Sequence, residues 1–378
     1  MRVLLAGGGT GGHINPALAI ANEWKKHDPK AEFLFAAVPG NMEDTLVPKA
    51  GYPVAYIKLA GFHRSLLPQD VLHNIKAAAW LSVADLRAAK IVREFKPDFA
   101  VGTGGYLSGP IIRKAEQQGI PAFIHEQNAY PGVTSKLLAP KADIVFAAFP
   151  EAEERLPECR RFEVVGNPVR QAFIGVGKKE ARKKLGLDDR FTIFSVGGSL
   201  GATKINEMAA DLMAWHGPLG EINHIHGYGK NGRELFPKML AERGIDLGKF
   251  PRISAEEYID NIHLYMAAAD LVISRAGALT VSELEVTGSP SILVPYPYAA
   301  ENHQYHNAMV LQNAGAALVV QEKDYRREWL ISEVERFAES PDRVASFSAA
   351  ASHLAVLDTA SRICAMIEET LKVRAMKR

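Results

Sequence analysis

The stretch RVLLAGGGTGGHINPAL, residues 2–18, reads as an apolar strand, a glycine loop and the start of a helix. Gly7, Gly9 and Gly12 have the G-x-G-x-x-G spacing, in which glycines let backbone amides approach an anion at the N-terminus of a helix. A strand that leads through a short loop into a helix is typical of parallel α/β sheets. The stretch therefore predicts an α/β fold and a candidate anion site.

The next strand argues against a dinucleotide at this loop. A dinucleotide fold places an acidic residue at the end of its second strand, where the carboxylate holds a ribose diol. Here EFLFAA, residues 32–37, ends in alanine, and Glu32 lies at the opposite end. Asn15 is predicted to cap the helix and Pro16 to open it, so the loop can present His13 for chemistry. A tight turn with a passive histidine is the alternative.

The alternation of short apolar runs with amphipathic segments continues along most of the chain. It restarts at NPVR, residues 167–170, so we expect two Rossmann-like, doubly wound domains, residues 1–166 and 167–378, facing each other across a cleft. Beyond the last strand, the pattern predicts helices only. Strands are predicted at residues 2–6, 32–37, 53–59, 98–102, 121–126, 143–149, 162–166, 191–198, 222–227, 270–275, 290–295 and 316–320, and helices at residues 16–27, 203–213 and 278–287.

Composition limits the classes of protein to consider. The 378 residues are 47% hydrophobic and 23% charged, which is ordinary for a globular protein. A net charge of +1 gives no overall attraction for nucleic acid, so no nucleic-acid partner is expected. Cys159 and Cys364 are too few for a disulfide framework, which favours a reducing compartment. No apolar run reaches the roughly 18 residues of a membrane span, so we expect a cytoplasmic protein.

Two further glycine loops follow strands in the second half of the chain. VGGSLGA, residues 196–202, places the hydroxyl of Ser199 at the anion position. SRAGALTVSE, residues 274–283, places Glu283 one turn inside a helix, where a carboxylate can accept from both hydroxyls of a ribose. Ligands of open α/β sheets bind at the carboxyl ends of the strands, so these loops are the better candidates for a nucleotide. For Glu283 alone, a solvated helix glutamate is the alternative.

Polar residues also follow a strand at HEQNAYPG, residues 125–132, and suit the hydroxyls of a substrate. His125 alone is equally compatible with a structural histidine. Arg170 lies at the junction of the expected domains, where its guanidinium can bind a phosphate or hold the linker.

The stretch ENHQYHNA, residues 301–308, raises the question of a metal because it contains two histidines and a glutamate. The spacing differs from H-E-x-x-H, and no D-x-D pair follows a strand to chelate Mg²⁺. We therefore expect no metal and no other cofactor.

Seven motifs, taken together, are far more specific than any one of them. They strongly resemble the MurG family, undecaprenyldiphospho-muramoylpentapeptide β-N-acetylglucosaminyltransferases, from residue 2 to about residue 320. The resemblance is weak over residues 60–95 and in the C-terminal helices, and Ala276 stands where the family often has serine. In chain order the motifs are GGTGGHINPALA, GTGGYLSGP, HEQNAYPG, VVGNPVR, VGGSLGA, SRAGALTVSE and ENHQYHNA.

The resemblance implies a glycosyltransferase of the GT-B type. Its donor would be UDP-N-acetylglucosamine (UDP-GlcNAc), and its acceptor the C4 hydroxyl of the lipid-linked N-acetylmuramoyl-pentapeptide, lipid I. The transfer would invert the sugar carbon and form lipid II. The first domain would bind the acceptor and the membrane, the second would bind UDP-GlcNAc, and the last helix, about residues 357–373, would return to the first domain.

The resemblance also implies binding residues. Ile259 would contact the uracil through its backbone and Glu283 the ribose, while other side chains would hold the sugar hydroxyls. By motif match, the donor-binding residues are Thr10, Gly11, Gly12, Asn128, Arg170, Ser199, Ile259, Ala278, Leu279, Thr280, Val281, Ser282, Glu283 and Gln304.

An inverting transfer needs a base for the attacking hydroxyl and stabilisation of the departing diphosphate. We expect His13 to be the base, because a neutral imidazole titrates near working pH. Helix N-terminal amides near Ser199 and the guanidinium of Arg170 would stabilise the leaving group. Glu126 is the alternative base, since glycosidases use carboxylates in this role; His13 would then bind an acceptor phosphate or only order its loop.

A lipid acceptor requires contact with a membrane surface. Residues 62–93 contain apolar side chains with a basic fringe, which suits an anionic lipid surface, although an inward-packing helix fits equally. We expect a peripheral protein on the cytoplasmic face of the inner membrane, with cell-wall or division proteins as further partners.

Other functions remain compatible with a fold of this kind, because fold does not fix function. A UDP-sugar epimerase or a GT-B glycosyltransferase with a different acceptor is the main alternative. A nicotinamide dehydrogenase is disfavoured by the missing acid after the second strand. A scaffold protein without activity would bind no nucleotide.

Overall fold

The computed structural model describes residues 1–59 and 83–376, and its strands form two parallel sheets. The chain is organised in two compact units. The N-terminal unit comprises Met1–Pro168 together with Asp358–Arg378, and the C-terminal unit comprises Val169–Leu357. The prediction of an α/β fold with two Rossmann-like sheets is confirmed.

The N-terminal unit is built on one sheet with helices on both faces. In its first strand, Val3 and Leu5 belong to one hydrophobic cluster, and Leu4 and Ala6 to the other. This burial on both faces explains the unbroken apolar run. The strands are β1 (Arg2–Ala6), β2 (Glu32–Ala37), β3 (Val54–Tyr56), β4 (Phe99–Gly102), β5 (Ala122–Glu126), β6 (Ile144–Ala147) and β7 (Phe162–Val164), in the spatial order β3-β2-β1-β4-β5-β6-β7.

The first helix of this unit buries Ala17, Ile20, Ala21 and Trp24, a spacing of three and four residues that places these side chains on one face. Basic residues occupy its last turn, where they oppose the negative end of the helix dipole. The helices are α1 (Gly11–His27), α2 (Glu43–Lys49), α3 (83–95), α4 (Ser108–Gln117) and α5 (Val133–Leu138), with a 3₁₀ helix at Pro150–Arg155.

The C-terminal unit repeats this architecture with six parallel strands. Its strands are β8 (Thr192–Val196), β9 (Asn223–Gly227), β10 (Ile253–Glu256), β11 (Leu271–Ser274), β12 (Ser291–Leu293) and β13 (Ala317–Val319), in the order β10-β9-β8-β11-β12-β13. Its helices are α6 (Lys178–Leu185), α7 (Thr203–His216), α8 (Leu235–Glu242), α9 (Ile262–Ala268), α10 (Ala278–Thr287), α11 (His303–Asn313), α12 (Arg327–Ala338) and α13 (Pro341–Leu354). Short 3₁₀ helices lie at Gln171–Phe173, Gly217–Leu219, Lys230–Gly232, Leu247–Lys249, Ala300–Asn302 and Glu322–Asp324.

The last helix, α14 (Thr359–Met376), belongs to the N-terminal unit. Its buried residues Ile363, Cys364 and Ile367 join the same hydrophobic cluster as Ile20 and Trp24 of α1. The unit is therefore completed by a helix that follows the rest of the unit only after the intervening C-terminal unit, Val169–Leu357.

Each sheet reverses its strand order at one point, between β1 and β4 in the N-terminal unit and between β8 and β11 in the C-terminal unit. A crevice opens at such a point because the loops on either side leave in opposite directions. The glycine loops after β1 and β4 meet at the first crevice, and those after β8 and β11 at the second.

Every predicted strand overlaps an observed one, but the predicted start of the first helix is wrong and one strand was missed. α1 begins at Gly11, so Thr10 precedes it, Asn15 does not cap it, and Pro16 lies inside it. β10 was not predicted, because ISAE is a short edge strand with two exposed residues and no apolar alternation of useful length.

The segment expected to contact a membrane is residues 62–93, and its residues 62–82 lie outside the described residues. The following helix α3 exposes Val83 and Leu86 beside basic side chains, including Arg87 and Lys90. In the part of the chain that the structure describes, no helix combines the length and the apolar character that crossing a bilayer requires.

Candidate active site

The first glycine loop is shaped by its fit against the loop after β4. A Cβ on Gly7 would lie 2.0 Å from Oγ1 of Thr103 and 2.6 Å from the carbonyl oxygen of His13. Gly105 has a φ of +75°, and a Cβ there would lie 2.4 Å from the carbonyl oxygen of Gly8. These glycines therefore allow two backbones to approach each other.

The carboxylate of Glu43 fills the inside of the first loop. Glu43 is fully buried; its Oε2 accepts from the amide of Gly9 at 2.9 Å and its Oε1 from the amide of Val38 at 3.2 Å. The chain thus supplies its own anion to the loop. Sequence reasoning missed Glu43 because it looked for an acid at the end of β2, and this one lies at the start of α2.

His13 lies in the first turn of α1 and is half-buried. Its Nδ1 lies 3.1 Å from the carbonyl oxygen of Thr103 and 3.0 Å from Oε1 of Gln127. The hydroxyl of Thr103 donates to the carbonyl oxygen of His13 at 2.7 Å. The ring is therefore held by residues of two neighbouring loops. Among the contacts of the described residues, those of the ring nitrogens are made by Nδ1 alone. The exposed Thr10 precedes α1, and the half-buried Gly11 and Gly12 begin it.

Glu126 organises the loop that follows β5. Its Oε1 accepts from the backbone amide of Asn128 at 2.9 Å and from the Asn128 side-chain amide at 3.0 Å, and its Oε2 accepts from the amide of Gly132 at 3.0 Å. The carboxylate is buried. Both oxygens are engaged in shaping the loop, which leaves Glu126 poorly placed to take a substrate proton.

His125 and Gln127 lie behind this loop. Nε2 of His125 lies 2.9 Å from the carbonyl oxygen of Gly166, and Nε2 of Gln127 lies 2.8 Å from Nδ1 of His125. Burial lowers the pKa of His125 to about 4, so its ring stays neutral at ordinary pH. His125 thus has the structural character that was one of its two expected roles.

In the C-terminal unit, Arg170, Ser199 and Ile259 line one open cavity of about 510 Å³. Gly198 has a φ of +87° and no neighbour within 4 Å of an added Cβ, and Ser199 is exposed. Here the glycine loop is open, and no side chain of the described residues fills it in the way Glu43 fills the first. The cavity lies at the carboxyl ends of β8, β9 and β10.

Glu283 reaches this cavity through an ion pair with Arg170, whose Nη2 lies 3.1 Å from Oε1 of the carboxylate. Burial raises the pKa of Glu283, and the neighbouring guanidinium opposes that shift. The surrounding segment, Ala278 to Glu283, forms the first turns of α10. The side chains of Val281 and Ser282 are buried, so any contact of Val281 with a ligand at the exposed end of this helix would run through its backbone.

Gln304 does not line the cavity around Ser199. It lines a larger neighbouring cavity of about 1040 Å³ with Arg275, Tyr296 and Lys204, and its Oε1 accepts from the amide of Tyr296 at 2.9 Å. Arg275 pairs with Glu322 at 2.5 Å. The sequence analysis did not single out Arg275 as a residue of this cavity, although an arginine directly after the strand β11 was a usable signal.

Three buried histidines support β8 and β9 beneath the second loop. The hydroxyl of Ser195 lies 2.8 Å from Nε2 of His224 and 2.8 Å from Nδ1 of His226, and Nε2 of His216 lies 3.0 Å from Nδ1 of His224. Burial lowers the pKa of His216 to about 4 and that of His226 to about 3. This cluster was not foreseen, since INHIHG was interpreted only as a strand.

Groups of three or more His, Cys, Asp or Glu arranged to hold a metal ion do not occur among residues 1–59 and 83–376.

Comparisons with known proteins agree on the family. The glycosyltransferase family 28 N-terminal domain matches residues 3–147, and the family 28 C-terminal domain matches residues 192–363. A protein of Acetivibrio thermocellus, named UDP-N-acetylglucosamine--N-acetylmuramyl-(pentapeptide) pyrophosphoryl-undecaprenol N-acetylglucosamine transferase, is 38% identical over 99% of this chain and 100% of its own length. A protein of the same name from Desulforamulus reducens is 36% identical over 98% of this chain and 99% of its own length.

Among solved structures, one likeness agrees with this family and another extends to the fold. The crystal structure of Acinetobacter baumannii MurG matches with a TM-score of 0.77 and 28% identity, over 97% of this chain and 99% of that one. A UDP-GlcNAc 2-epimerase from Neisseria meningitidis bound to UDP-GlcNAc matches with a TM-score of 0.67, over 98% of this chain and all of that one. At 14% identity, the second likeness extends to the fold alone.

Proposed function

Because this chain belongs to the MurG family of N-acetylglucosamine transferases, we propose that it transfers N-acetylglucosamine from UDP-GlcNAc to the C4 hydroxyl of lipid I and so forms lipid II. The observation that carries this proposal is the full-length identity of 38% with a relative named for this transfer. The chain is an enzyme, an inverting hexosyltransferase of peptidoglycan synthesis.

The proposed binding site of UDP-GlcNAc lies in the C-terminal unit. Its cavity is lined by an open glycine loop at Ser199 and by Arg170, whose guanidinium pairs with the carboxylate of Glu283. A nucleoside diphosphate needs such a set: amides and a cation for the phosphates, and a carboxylate for the ribose. When the donor binds, Arg170 would exchange part of its contact with Glu283 for a phosphate, and the carboxylate would accept from the ribose hydroxyls.

Other donor contacts follow from the same assignment. The backbone at Ile259 would recognise the uracil, and the first turns of α10, Ala278 to Glu283, would present amides and the carboxylate. Gln304 would hold a sugar hydroxyl from the neighbouring cavity, and Asn128 would do so from the N-terminal unit. Thr10, Gly11 and Gly12 would add backbone contacts at the start of α1.

His13 is the proposed base of the reaction. The oxygen of the C4 hydroxyl bonds to C1 of the donor sugar while the bond from C1 to the diphosphate oxygen breaks. The hydroxyl proton passes to His13, and both electrons of the breaking bond leave with UDP. A placed base contributes about 10²–10⁴ in rate, and the engagement of both Glu126 oxygens in its own loop favours His13 over Glu126.

The leaving diphosphate gains negative charge as the bond to C1 breaks. Amides of the loop around Ser199, at the start of α7, and the guanidinium of Arg170 would stabilise this charge. Preformed donors of this kind lower the barrier because they need no reorganisation during the reaction. The proposed mechanism therefore uses no metal.

We further propose that the N-terminal unit binds the acceptor and docks on anionic lipid at the cytoplasmic face of the inner membrane. The exposed Val83 and Leu86 of α3, beside Arg87, Lys90 and Arg93, support a surface of this chemistry. Flotation with vesicles of anionic and of neutral lipids tests it. Binding to anionic vesicles at low salt is expected, and its absence there would contradict docking. Cell-wall or division proteins would be partners at this surface.

The activity is tested by transfer of radiolabel from UDP-GlcNAc to a short-chain lipid-linked muramoyl-pentapeptide, with EDTA present. We expect acceptor-dependent labelling that EDTA does not abolish. Failure with every muramoyl lipid would overturn the proposal. Conversion of UDP-GlcNAc without acceptor would identify an epimerase instead, and loss of labelling with EDTA alone would overturn only the metal-free mechanism.

A further inference from the structure

We propose that Gln127, backed by His125, is a positioning residue that fixes the neutral tautomer of His13, with the proton on Nδ1 and the lone pair on Nε2. The consequence for catalysis rests on the proposed role of His13 as base. The tautomer itself is a separate property that can be measured on its own.

The order of donors and acceptors begins at the carbonyl oxygen of Gly166. A carbonyl oxygen can only accept, so Nε2 of His125, at 2.9 Å, carries a proton and donates. A neutral imidazole has one N–H, so Nδ1 of His125 has a lone pair. Burial lowers the pKa of His125 to about 4, which keeps this arrangement unchanged at working pH.

The side-chain amide of Gln127 is oriented by that lone pair. Its Nε2 lies 2.8 Å from Nδ1 of His125 and 2.9 Å from the carbonyl oxygen of His125, both of which are acceptors. The reversed amide would place its oxygen against two other acceptors and lose both hydrogen bonds. Gln127 is buried, so no bulk water would replace them. The amide oxygen of Gln127 therefore faces His13.

Nδ1 of His13 now has two acceptors opposite it, Oε1 of Gln127 at 3.0 Å and the carbonyl oxygen of Thr103 at 3.1 Å. A lone pair on Nδ1 would oppose both oxygens, so Nδ1 must carry the proton. The basic lone pair is then on Nε2, which has no hydrogen-bond partner among the described residues. A histidine side chain in water prefers the proton on Nε2. The series of hydrogen bonds from Gly166 through His125 to Gln127 reverses that preference.

The fit around the ring supports the same orientation. Gly104 has a φ of +99°, and a Cβ there would lie 2.5 Å from Nδ1 of His13. Only glycine at this position leaves room for the ring to lie against the two acceptors. The site thus controls both where the ring lies and which nitrogen is basic, and a base in the wrong tautomer loses orders of magnitude in rate.

The test uses the full-length chain with ¹⁵N-labelled histidine, because ring ¹⁵N shifts distinguish a protonated nitrogen from one with a lone pair. The spectrum of His13→Ala identifies the His13 signals. In the wild type we expect Nδ1 protonated and Nε2 unprotonated. Gln127→Met, which keeps the length and removes the hydrogen bonds, should raise the fraction with the proton on Nε2. Gln118→Met, at an exposed position of the same unit, is the matched control and should leave the signals unchanged.

Kinetics provides the second measurement. Gln127→Met should lower kcat at least about tenfold and leave the KM for UDP-GlcNAc within about twofold, since the loss concerns proton transfer. Gln127→Glu should restore the Nδ1–H tautomer and part of kcat when its carboxyl is protonated, because the O–H then donates to His125 and the other oxygen stays opposite Nδ1 of His13. A general loss of structure would not be rescued in this way.

A wild-type His13 with its proton on Nε2, or a Gln127→Met variant with the wild-type tautomer, would overturn the inference. A changed tautomer in Gln127→Met with unchanged kcat would support the role of Gln127 and overturn His13 as base. The two proposals therefore fail in distinguishable ways.

Discussion

The first glycine loop, after β1, and the second, after β8, occupy equivalent places in their sheets and share a run of glycines, yet their interiors differ. In the first, the carboxylate of Glu43 accepts from the amide of Gly9, and the loop after β4 fits against the glycines. In the second, Gly201 also packs closely, since an added Cβ would lie 2.2 Å from the carbonyl oxygen of Tyr228, but an added Cβ on Gly198 would meet nothing within 4 Å and the exposed Ser199 lines a cavity. The same backbone pattern thus holds the proposed base His13 in one unit and lines the proposed anion site in the other.

A glycine motif therefore specifies the shape of the backbone and leaves undetermined which anion fills the loop. Amides that point into a loop attract an anion, and a carboxylate of the same chain can be that anion where it lies within reach, as Glu43 does in the first loop. In a loop with an internal carboxylate, the amides already have an acceptor and do not require a phosphate. This division, with a first loop for chemistry and a second for binding, predicts that changes in the two loops affect different quantities.

The largest effect is expected for His13→Ala in the first loop. The change removes the proposed base and should lower kcat by about 10²–10⁴. The affinity for UDP should stay within about twofold, because UDP is assigned to the C-terminal unit. Steady-state kinetics and calorimetry with UDP measure the two quantities. Turnover at the wild-type rate would remove the base assignment, and a matched loss of UDP affinity would break the division.

The second effect concerns acid stability, in which the two units should differ. In the C-terminal unit, burial lowers the pKa of His216 to about 4 and that of His226 to about 3, and it also lowers the pKa of His224. In the N-terminal unit, burial lowers the pKa of His125. Unfolded histidines titrate near 6.5, so stability is fully present above that pH and falls as the pH drops toward 4. Between its unfolded and its folded pKa, each such histidine lowers the free energy of unfolding by about 1.4 kcal/mol for each pH unit of acidification.

Hydrogen exchange followed by mass spectrometry between pH 7 and pH 4.5 would compare the units. We expect acid to open the strands β8 and β9 before β1 and β4. His216→Gln should reduce the pH dependence in the C-terminal unit and leave that of the N-terminal unit unchanged. Earlier opening of the N-terminal unit would show that the buried cluster does not govern acid stability.

The third effect is on binding at the second loop. Arg170→Ala removes the guanidinium from the cavity and leaves the buried Glu283 without its ion pair. A charge-assisted contact of this kind is worth about 1.5–3 kcal/mol, so UDP should bind about 10- to 100-fold more weakly by calorimetry. Arg326→Ala, at an exposed position of the same unit, is the control. Unchanged UDP affinity in Arg170→Ala would contradict the assignment of the cavity.

The smallest effect is expected for Glu43→Gln in the first loop. The neutral amide retains one acceptor for the amides of Gly9 and Val38, so unfolding in urea should become easier by about 1–2 kcal/mol. Glu154→Gln, on an exposed side chain of the same unit, should be close to neutral. If Glu43→Gln instead created a tight phosphate site without loss of stability, the internal carboxylate would be a competitor for a ligand and not a structural part.

Much of the fold could be predicted because the strands carry a direct signal. β1 is apolar at four consecutive positions since both faces of the sheet are covered, and glycine punctuates the strand ends. β10 escaped prediction because an edge strand with exposed residues has no such signal. The start of α1 escaped because Asn15 and Pro16 are good first-turn residues that here lie inside the helix.

The candidate site could be predicted in its parts and not in its connections. The residues Arg170, Ser199 and Ile259, taken from separate motifs, do line one cavity. The contacts of Gln127 and Glu43 could not be predicted, since they join loops that are distant in sequence and depend on which buried acceptor faces which donor. Local patterns specify elements, and tertiary packing decides which polar groups meet.

The return of α14 to the N-terminal unit separates the order of synthesis from the order of folding. The strands β1–β7 leave the ribosome first, but the surface of α1 that Ile363 and Ile367 cover stays in contact with water until the last helix emerges. The whole C-terminal unit can fold in that interval, because domains fold as units while the chain lengthens. The N-terminal unit is thus the first to begin folding and the last to be completed, and a nascent chain carries an unclosed apolar face through most of its synthesis.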